Sequence, residues 1–271
     1  MVEPVPPAAS HVRVGGVALE VRHLAPPDGA PPRAPLVFLH EGLGCVSLWT
    51  QRGRDWPAEL CAASGREGWL YSRRGYGRSE PIPDVRGRGR HAPDYLHREA
   101  WTTLPALLAA LGIRQPPVLV GHSDGASIAL LYAARLPAAG CVAIAPHVVV
   151  EDVTLRAIAA ARTAYEEGDL RARLARHHAD PDSAFWQWND VWLSQAFRGF
   201  DIRAECARIR APLLLVQGLD DEYGTLAQLD AIQAAAPHAQ RLELPHCGHS
   251  PQRDQPDALL AAVRDWLVTV P

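Results

Sequence analysis

Ser123 stands in the pentapeptide Gly121-His122-Ser123-Asp124-Gly125, directly after the apolar run Val118 to Val120 and directly before the Ala- and Leu-rich stretch Ala126 to Leu136. A serine on a sharp strand-to-helix turn is exposed at the head of a sheet. Its flanking glycines lack the Cβ atoms that would collide with neighbouring backbone, and free helix amides face the reacting oxygen. A serine hydroxyl is a weak nucleophile at neutral pH and needs a base, which in turn needs an orienting acid. In this kind of turn the acid follows in the chain and the histidine comes last. Both are available: PLLLVQGLDDEYG closes an apolar run on Asp220, Asp221 and Glu222, and LELPHCGHSPQ closes the next on His246 and His249. One strand-turn-helix unit fits between them, so acid and base fall on loops at one edge of a sheet.

The elements that must position these residues follow from periodicity. Short apolar runs bounded by Gly and Pro recur at Val12 to Val21, Leu36 to Leu39, Trp69 to Tyr71, Val118 to Val120, Cys141 to Ala145, Leu213 to Val216 and Leu242 to Leu244, and read as strands, most of them buried on both faces. Stretches with helical spacing lie between them, at Arg98 to Leu111, Ala126 to Leu136, Leu226 to Ala236 and Ala258 to Leu267. The alternation predicts an α/β fold with a mostly parallel central sheet flanked by helices. Residues 151–208 interrupt it, reading as helix and loop without a strand. The expected organisation is therefore a core of residues 1–150 and 209–271 with a helical cap insertion at 151–208.

These motifs resemble the α/β-hydrolase superfamily from about Val12 to Val268. In that family the acid usually sits in a Gly-x-x-Asp turn and the histidine in a Gly-His-x-x pattern. Gly218-Leu219-Asp220-Asp221 and Gly248-His249-Ser250-Pro251 match, which the resemblance reads as Asp221 and His249. Tyr71 to Ser79 (YSRRGYGRS) is similar to the family's D-x-R-G-x-G-x-S stretch and is read as loop-shaping. The resemblance implies an oxyanion hole from the amides of Asp124 and Gly42, the latter in His40-Glu41-Gly42-Leu43-Gly44, where glutamate replaces the family's common glycine. Glu41 is read either as a contact to a polar substrate group or as structural. Serine at 123 excludes the family's aspartate-dependent branches, and Ser250 stands where ring-cleavage carbon-carbon hydrolases usually carry tryptophan. The implied function is hydrolysis of a small or medium, apolar or aromatic carboxylic ester through a Ser-His-Asp triad. Thioester, lactone or carbon-carbon hydrolysis, a perhydrolase activity, and non-catalytic ligand binding are the alternatives.

Composition narrows the field further. The chain has 271 residues, 48% hydrophobic and 21% charged, with a formal net charge of -3, the profile of a globular protein with a sizeable core. All 27 basic residues are arginine. That excludes a pyridoxal Schiff base, a Walker A loop and a serine-lysine dyad, and the expected chemistry calls for no cofactor. The slightly acidic balance argues against a nucleic-acid partner. Five scattered cysteines, Cys45, Cys61, Cys141, Cys206 and Cys247, form neither a disulfide framework nor a zinc pattern and fit a reducing cytoplasm, and no metal is expected at His246, Cys247 and His249. No apolar run approaches the ~18 residues of a membrane span, and MVEPVPPAAS has no basic start or apolar run. In the insertion, AFWQWNDVWLSQAFRGF crowds six aromatics. These read as packing or as an apolar wall over a pocket, with Trp186, Trp188 and Trp192 the candidate substrate contacts. Arg86 to His91 (RGRGRH) reads as a solvated loop or a reader of an anionic group.

Overall fold

The computed structural model describes residues 10–270; the N-terminal segment read above as lacking a leader lies almost wholly outside them. The sheet has eight strands, β1 (Ser10–Val14), β2 (Val17–Leu24), β3 (Leu36–Leu39), β4 (Gly68–Tyr71), β5 (Val118–His122), β6 (Gly140–Ile144), β7 (Leu213–Gly218) and β8 (Gln240–Leu244). Their spatial order is β1-β2-β4-β3-β5-β6-β7-β8. From β4 onward all neighbours are parallel, while β2 is antiparallel to both β1 and β4. The expected single run Val12 to Val21 is a hairpin, because Gly15 and Gly16, at φ 56° and 86°, turn the chain in mid-run and glycine is the residue that takes two successive positive φ values at no steric cost.

The parallel strands are apolar on both faces because both are covered. Leu36 and Phe38 join Val118, Val120, Val142 and Ile144 in a core against α1 (Trp56–Ser64) and the C-terminal helix. Val37 and Leu39, one residue out of phase, pack on the opposite side with α2 (Leu104–Ala110) and α3 (Asp124–Ala133). The helical run Arg98 to Leu111 begins earlier than expected, at Tyr95, and passes through a π-helical segment at Glu99–Thr103. Between β6 and β7 the chain forms α4 (Asp152–Glu166), α5 (Leu170–Leu174) and α6 (Pro181–Trp192), then two short helical turns at Gln195–Gly199 and Arg203–Cys206. Its one bridge to a neighbour, Val149 to Asp201, does not extend into a strand. The chain ends with α7 (Ala227–Ala235), a turn at Pro251–Asp254 and α8 (Pro256–Leu267). No described helix is long and apolar enough to cross a membrane.

The strands β3, β5, β7 and β8 all end at the same edge, so the segments that follow Leu39, His122, Gly218 and Leu244 converge there, the usual location of ligands in such sheets. Approach is close enough to dictate residue type. A Cβ on Gly125 would lie 2.0 Å from the Leu39 carbonyl oxygen, and one on Gly121 would lie 2.2 Å from that of Gly125. Neither obstacle is a flexible side-chain tip. Gly125→Ala is therefore expected to force α3 away from β3 at a cost of roughly 1–3 kcal/mol or more, read as a lowered urea midpoint; an unchanged midpoint would show that the contact can relax without cost.

Candidate active site

Ser123 sits between β5 and α3 with φ 54° and ψ -117°, a backbone conformation that L-residues with a Cβ rarely adopt and that persists only where the surroundings impose it. They do so here through the Ser123 amide, which donates to the Ile144 carbonyl at 2.8 Å, and through the two glycine contacts above. Ser123 and His249 are both buried, at 7% and 8% exposure, and both line a cavity of about 230 Å³ with Glu41, Gly42, Leu43, His122, Trp188, Glu222, Tyr223, Ser250 and Arg253.

Hydrogen bonds settle the proton positions on His249. A carboxylate only accepts, so Nδ1, which lies 2.9 Å and 3.0 Å from the two oxygens of Asp221, carries the ring proton and leaves the Nε2 lone pair free. Asp221 is itself held by the amides of Tyr223 and Gly224 at 2.8 and 3.2 Å and by the Gln217 side-chain amide at 3.2 Å. Burial pushes its carboxyl upward, but the bonds to His249 and to the Tyr223 amide outweigh it and leave it below the usual aspartate value. Asp220 is exposed and touches none of these groups with its side chain, and His246, on the loop after β8, is exposed as well. Of the adjacent pair that spacing left open, Asp220 and Asp221, it is the Asp221 carboxylate that meets the His249 ring.

The backbone of His249 is also clamped. Its amide donates to Glu222 at 3.1 Å, and its carbonyl accepts from His122 Nε2 at 2.7 Å. His122 Nδ1 lies 3.0 Å from the Gln252 side-chain amide and 3.5 Å from the Glu41 carboxylate. Glu41 is held down to about 2: burial opposes ionisation, but the contact with His122 prevails. It remains a carboxylate at any working pH. His147 packs its ring 5.7 Å from that of His249, and burial lowers it to about 3, so it stays neutral beside His249.

A second network lies beneath the cavity. Asp124 is buried and accepts from Tyr95 Oη at 2.8 Å, Trp192 Nε1 at 3.1 Å and Arg73 Nη1 at 3.4 Å. Arg73 also donates Nη2 to the Glu41 carbonyl at 2.9 Å, and its backbone amide donates to His40 Nε2 at 3.1 Å. His40 must therefore carry its proton on Nδ1, which it donates to the same Glu41 carbonyl at 2.7 Å. Burial, above all, keeps this imidazole neutral.

The three tryptophans separate. Trp188 lines the cavity, and its Nε1 would lie 2.2 Å from a Cβ at position 42, which makes glycine obligatory there. Trp192 instead commits its N–H to Asp124 and Tyr95, and Trp186 lies under the Arg86 guanidinium at 3.8 Å, away from Ser123. Those two are packing residues, not walls of this cavity. In the RGRGRH loop Arg86 is paired with Asp190 of α6 at 2.9 Å and His91 bonds Gln187 at 2.8 Å, while Arg88 is exposed. The roles of His122, His147, Arg73 and Tyr95 carry no local sequence signal, apart from Arg73's place in the YSRRGYGRS stretch.

The model of the alpha/beta hydrolase family matches residues 36–263. The RutD protein of Klebsiella pneumoniae (strain 342), provisionally named a carbamate hydrolase, is 29% identical over 244 residues, covering 81% of this chain and 86% of its own. Among solved structures, a thermophilic esterase from Thermogutta terrifontis superposes with a TM-score of 0.73 at 18% identity, covering 97% of this chain and 98% of its own. The enol-lactonase of Burkholderia xenovorans LB400 gives a TM-score of 0.69 at 19% identity, covering 96% and 100%. At such identities the structural likeness is one of fold. With the family match spanning most of its length, the chain belongs to the alpha/beta hydrolase family.

Proposed function

We propose that this chain is a serine hydrolase that cleaves a small or medium, apolar or aromatic carboxylic ester by two-step acyl transfer. The observation that carries the reading is the His249 ring, oriented by both oxygens of Asp221 and opening with Ser123 onto one cavity. In the first step His249 Nε2 takes the hydroxyl proton of Ser123 while Oγ attacks the carbonyl carbon. The oxyanion is held by the amides of Gly42 and Asp124, and Asp221 stabilises the imidazolium that forms. His249 then gives the proton to the departing alcohol oxygen. Water, deprotonated by the same nitrogen, attacks the acyl carbon and restores Ser123.

The substrate class rests on the cavity. About 230 Å³ is below the ~300–1,000 Å³ typical of sites for drug-sized ligands, which favours a short acyl group, and Trp188, Tyr223 and Leu43 supply apolar surface. Residues 151–208 are proposed as the cap, since Trp188 reaches the cavity from α6. A carbamate is a second reading, favoured by the name of the Klebsiella relative and open to the same acyl chemistry.

Three outcomes are expected. A fluorophosphonate probe should label the wild-type protein and not Ser123→Ala, with p-nitrophenyl ester turnover falling as acyl length grows; an unlabelled wild type that turns over no ester would leave ligand binding as the function. Asp221→Asn should lower kcat by up to about 10⁴-fold, the scale of losing the correct tautomer in such a triad, whereas Asp220→Asn should stay within about threefold; equal losses in the two would remove Asp221 from the triad. Because Glu41 is an ionised carboxylate on the cavity, Glu41→Gln should lower kcat/KM for a cationic ester relative to its neutral isostere by about tenfold or more, the scale of one charged hydrogen bond. An unmoved ratio would leave Glu41 as a structural residue.

A further inference from the structure

The amides of Gly42 and Asp124 belong to segments separated by some eighty residues, which the pairing of β3 with β5 at Leu39 and Gly121 brings side by side, and the Gly44 N–H holds the Glu41 carbonyl within its own loop at 3.1 Å. One side chain spans the gap. Arg73 Nη2 donates to the Glu41 carbonyl at 2.9 Å, and Nη1 reaches the Asp124 carboxylate at 3.4 Å. In a trans peptide the carbonyl and the following N–H point in opposite directions. A Glu41 oxygen turned to the buried guanidinium therefore turns the Gly42 hydrogen away from it, on the side where Gly42 lines the cavity. His40 Nδ1 holds the same carbonyl from a second direction, and its ring is oriented by the Arg73 amide. On the other side, Tyr95 donates to the same Asp124 oxygen as Arg73 and Trp192 to the other, which holds the carboxylate in orientation.

We infer that Arg73 is a positioning residue which sets the relative placement of the two oxyanion donors through the Glu41 carbonyl and the Asp124 carboxylate, without touching substrate itself. The inference rests on the acyl-transfer reading above. It differs from a role in neutralising Asp124, for which any cation would serve. A lysine ammonium keeps the charge but cannot reproduce the planar fork across both acceptors.

The test compares wild type, Arg73→Lys and Arg73→Gly for kcat and KM on a p-nitrophenyl ester and for inhibition by an aryl trifluoromethyl ketone, whose serine adduct carries an oxyanion. Arg73→Lys is expected to lose between ten- and a thousand-fold in kcat, the scale of one misplaced oxyanion donor, with KM within about threefold. Ketone affinity should fall by the same factor as kcat/KM. Millimolar guanidinium should restore part of the activity of Arg73→Gly, and ammonium at equal ionic strength should not. Arg73→Lys with wild-type kcat and ketone affinity, a loss confined to KM, or a kcat loss without a parallel ketone loss would each overturn the assignment. Should the single variants fail to fold, Arg73→Met combined with Asp124→Asn, which buries no charge, is held to the same kcat and ketone criteria. Wild-type protein that the fluorophosphonate does not label at Ser123 would overturn the acyl-transfer reading instead, before any variant is compared.

Discussion

The buried pairing of Asp124 with Arg73 is the interaction on which the rest of the site depends. Both side chains are almost wholly out of water, at 1% and 6% exposure, and an unpaired charge there would cost several kcal/mol. Burial pushes the Asp124 carboxyl upward, and the donors converging on it act the other way. Each of those donors comes from a different part of the chain: Arg73 from the loop after β4, Tyr95 from the head of the helical run leading into α2, and Trp192 from α6. A carboxylate placed one residue after Ser123 therefore draws the loop after β4, a core helix and α6 onto the turn between β5 and α3. Truncating any one donor leaves Asp124 under-satisfied, so the network holds as a unit or not at all.

His249 is held by a second set of contacts. Its amide, carbonyl and Nδ1 are each fixed by a different residue: Glu222, His122 and Asp221. The ring lies among His122, His147 and Tyr223, at centroid distances of 5.1, 5.7 and 4.7 Å. A charged His147 there would oppose the imidazolium; burial keeps it neutral. The attraction of Asp221 is then not offset from that side. Ser123 lies beside the Arg73 network and His249 on the loop after β8, and the bond from His122 Nε2 to the His249 carbonyl joins the two across the cavity floor.

What the sequence made legible is what is encoded locally. Gly121 and Gly125 around Ser123 are a short-range steric requirement, and the structure meets it with contacts of 2.2 and 2.0 Å. The parallel strands were legible because burial on both faces writes a continuous apolar run. The hairpin between β1 and β2 was not separated, because valine and alanine continue the alternation on either side of Gly15-Gly16 and mask the turn. Helix α1 went unread for a related reason: Trp56–Ser64 mixes apolar and polar residues without a clean stripe. The function of Arg73 was illegible because its meaning lies in partners at positions 41 and 124. The same holds for Arg86, whose glycine-rich neighbourhood reads as loose until Asp190 and Trp186, about a hundred residues on, are brought beneath it.

The division of labour among the tryptophans follows from helix geometry. Trp188 and Trp192 lie four residues apart on α6 and so project from one face, one turn apart. The first rests on Gly42 and the second bonds Asp124, so a single face of the inserted helix meets both segments that carry the proposed oxyanion donors. Trp186, on another face, takes up the Arg86 and Arg162 cations instead, at 3.8 and 5.6 Å. Asp190 binds the same two arginines, which ties α6 to the RGRGRH loop on one side and to α4 on the other. With α6 anchored at both ends of its cavity-facing turn, displacement of the inserted helices as a rigid body would disturb Asp124 and Gly42 together. Substrate selectivity can then vary only through the side chains that line the cavity without bearing on that frame, among which are Glu41, Leu43, Tyr223 and Arg253.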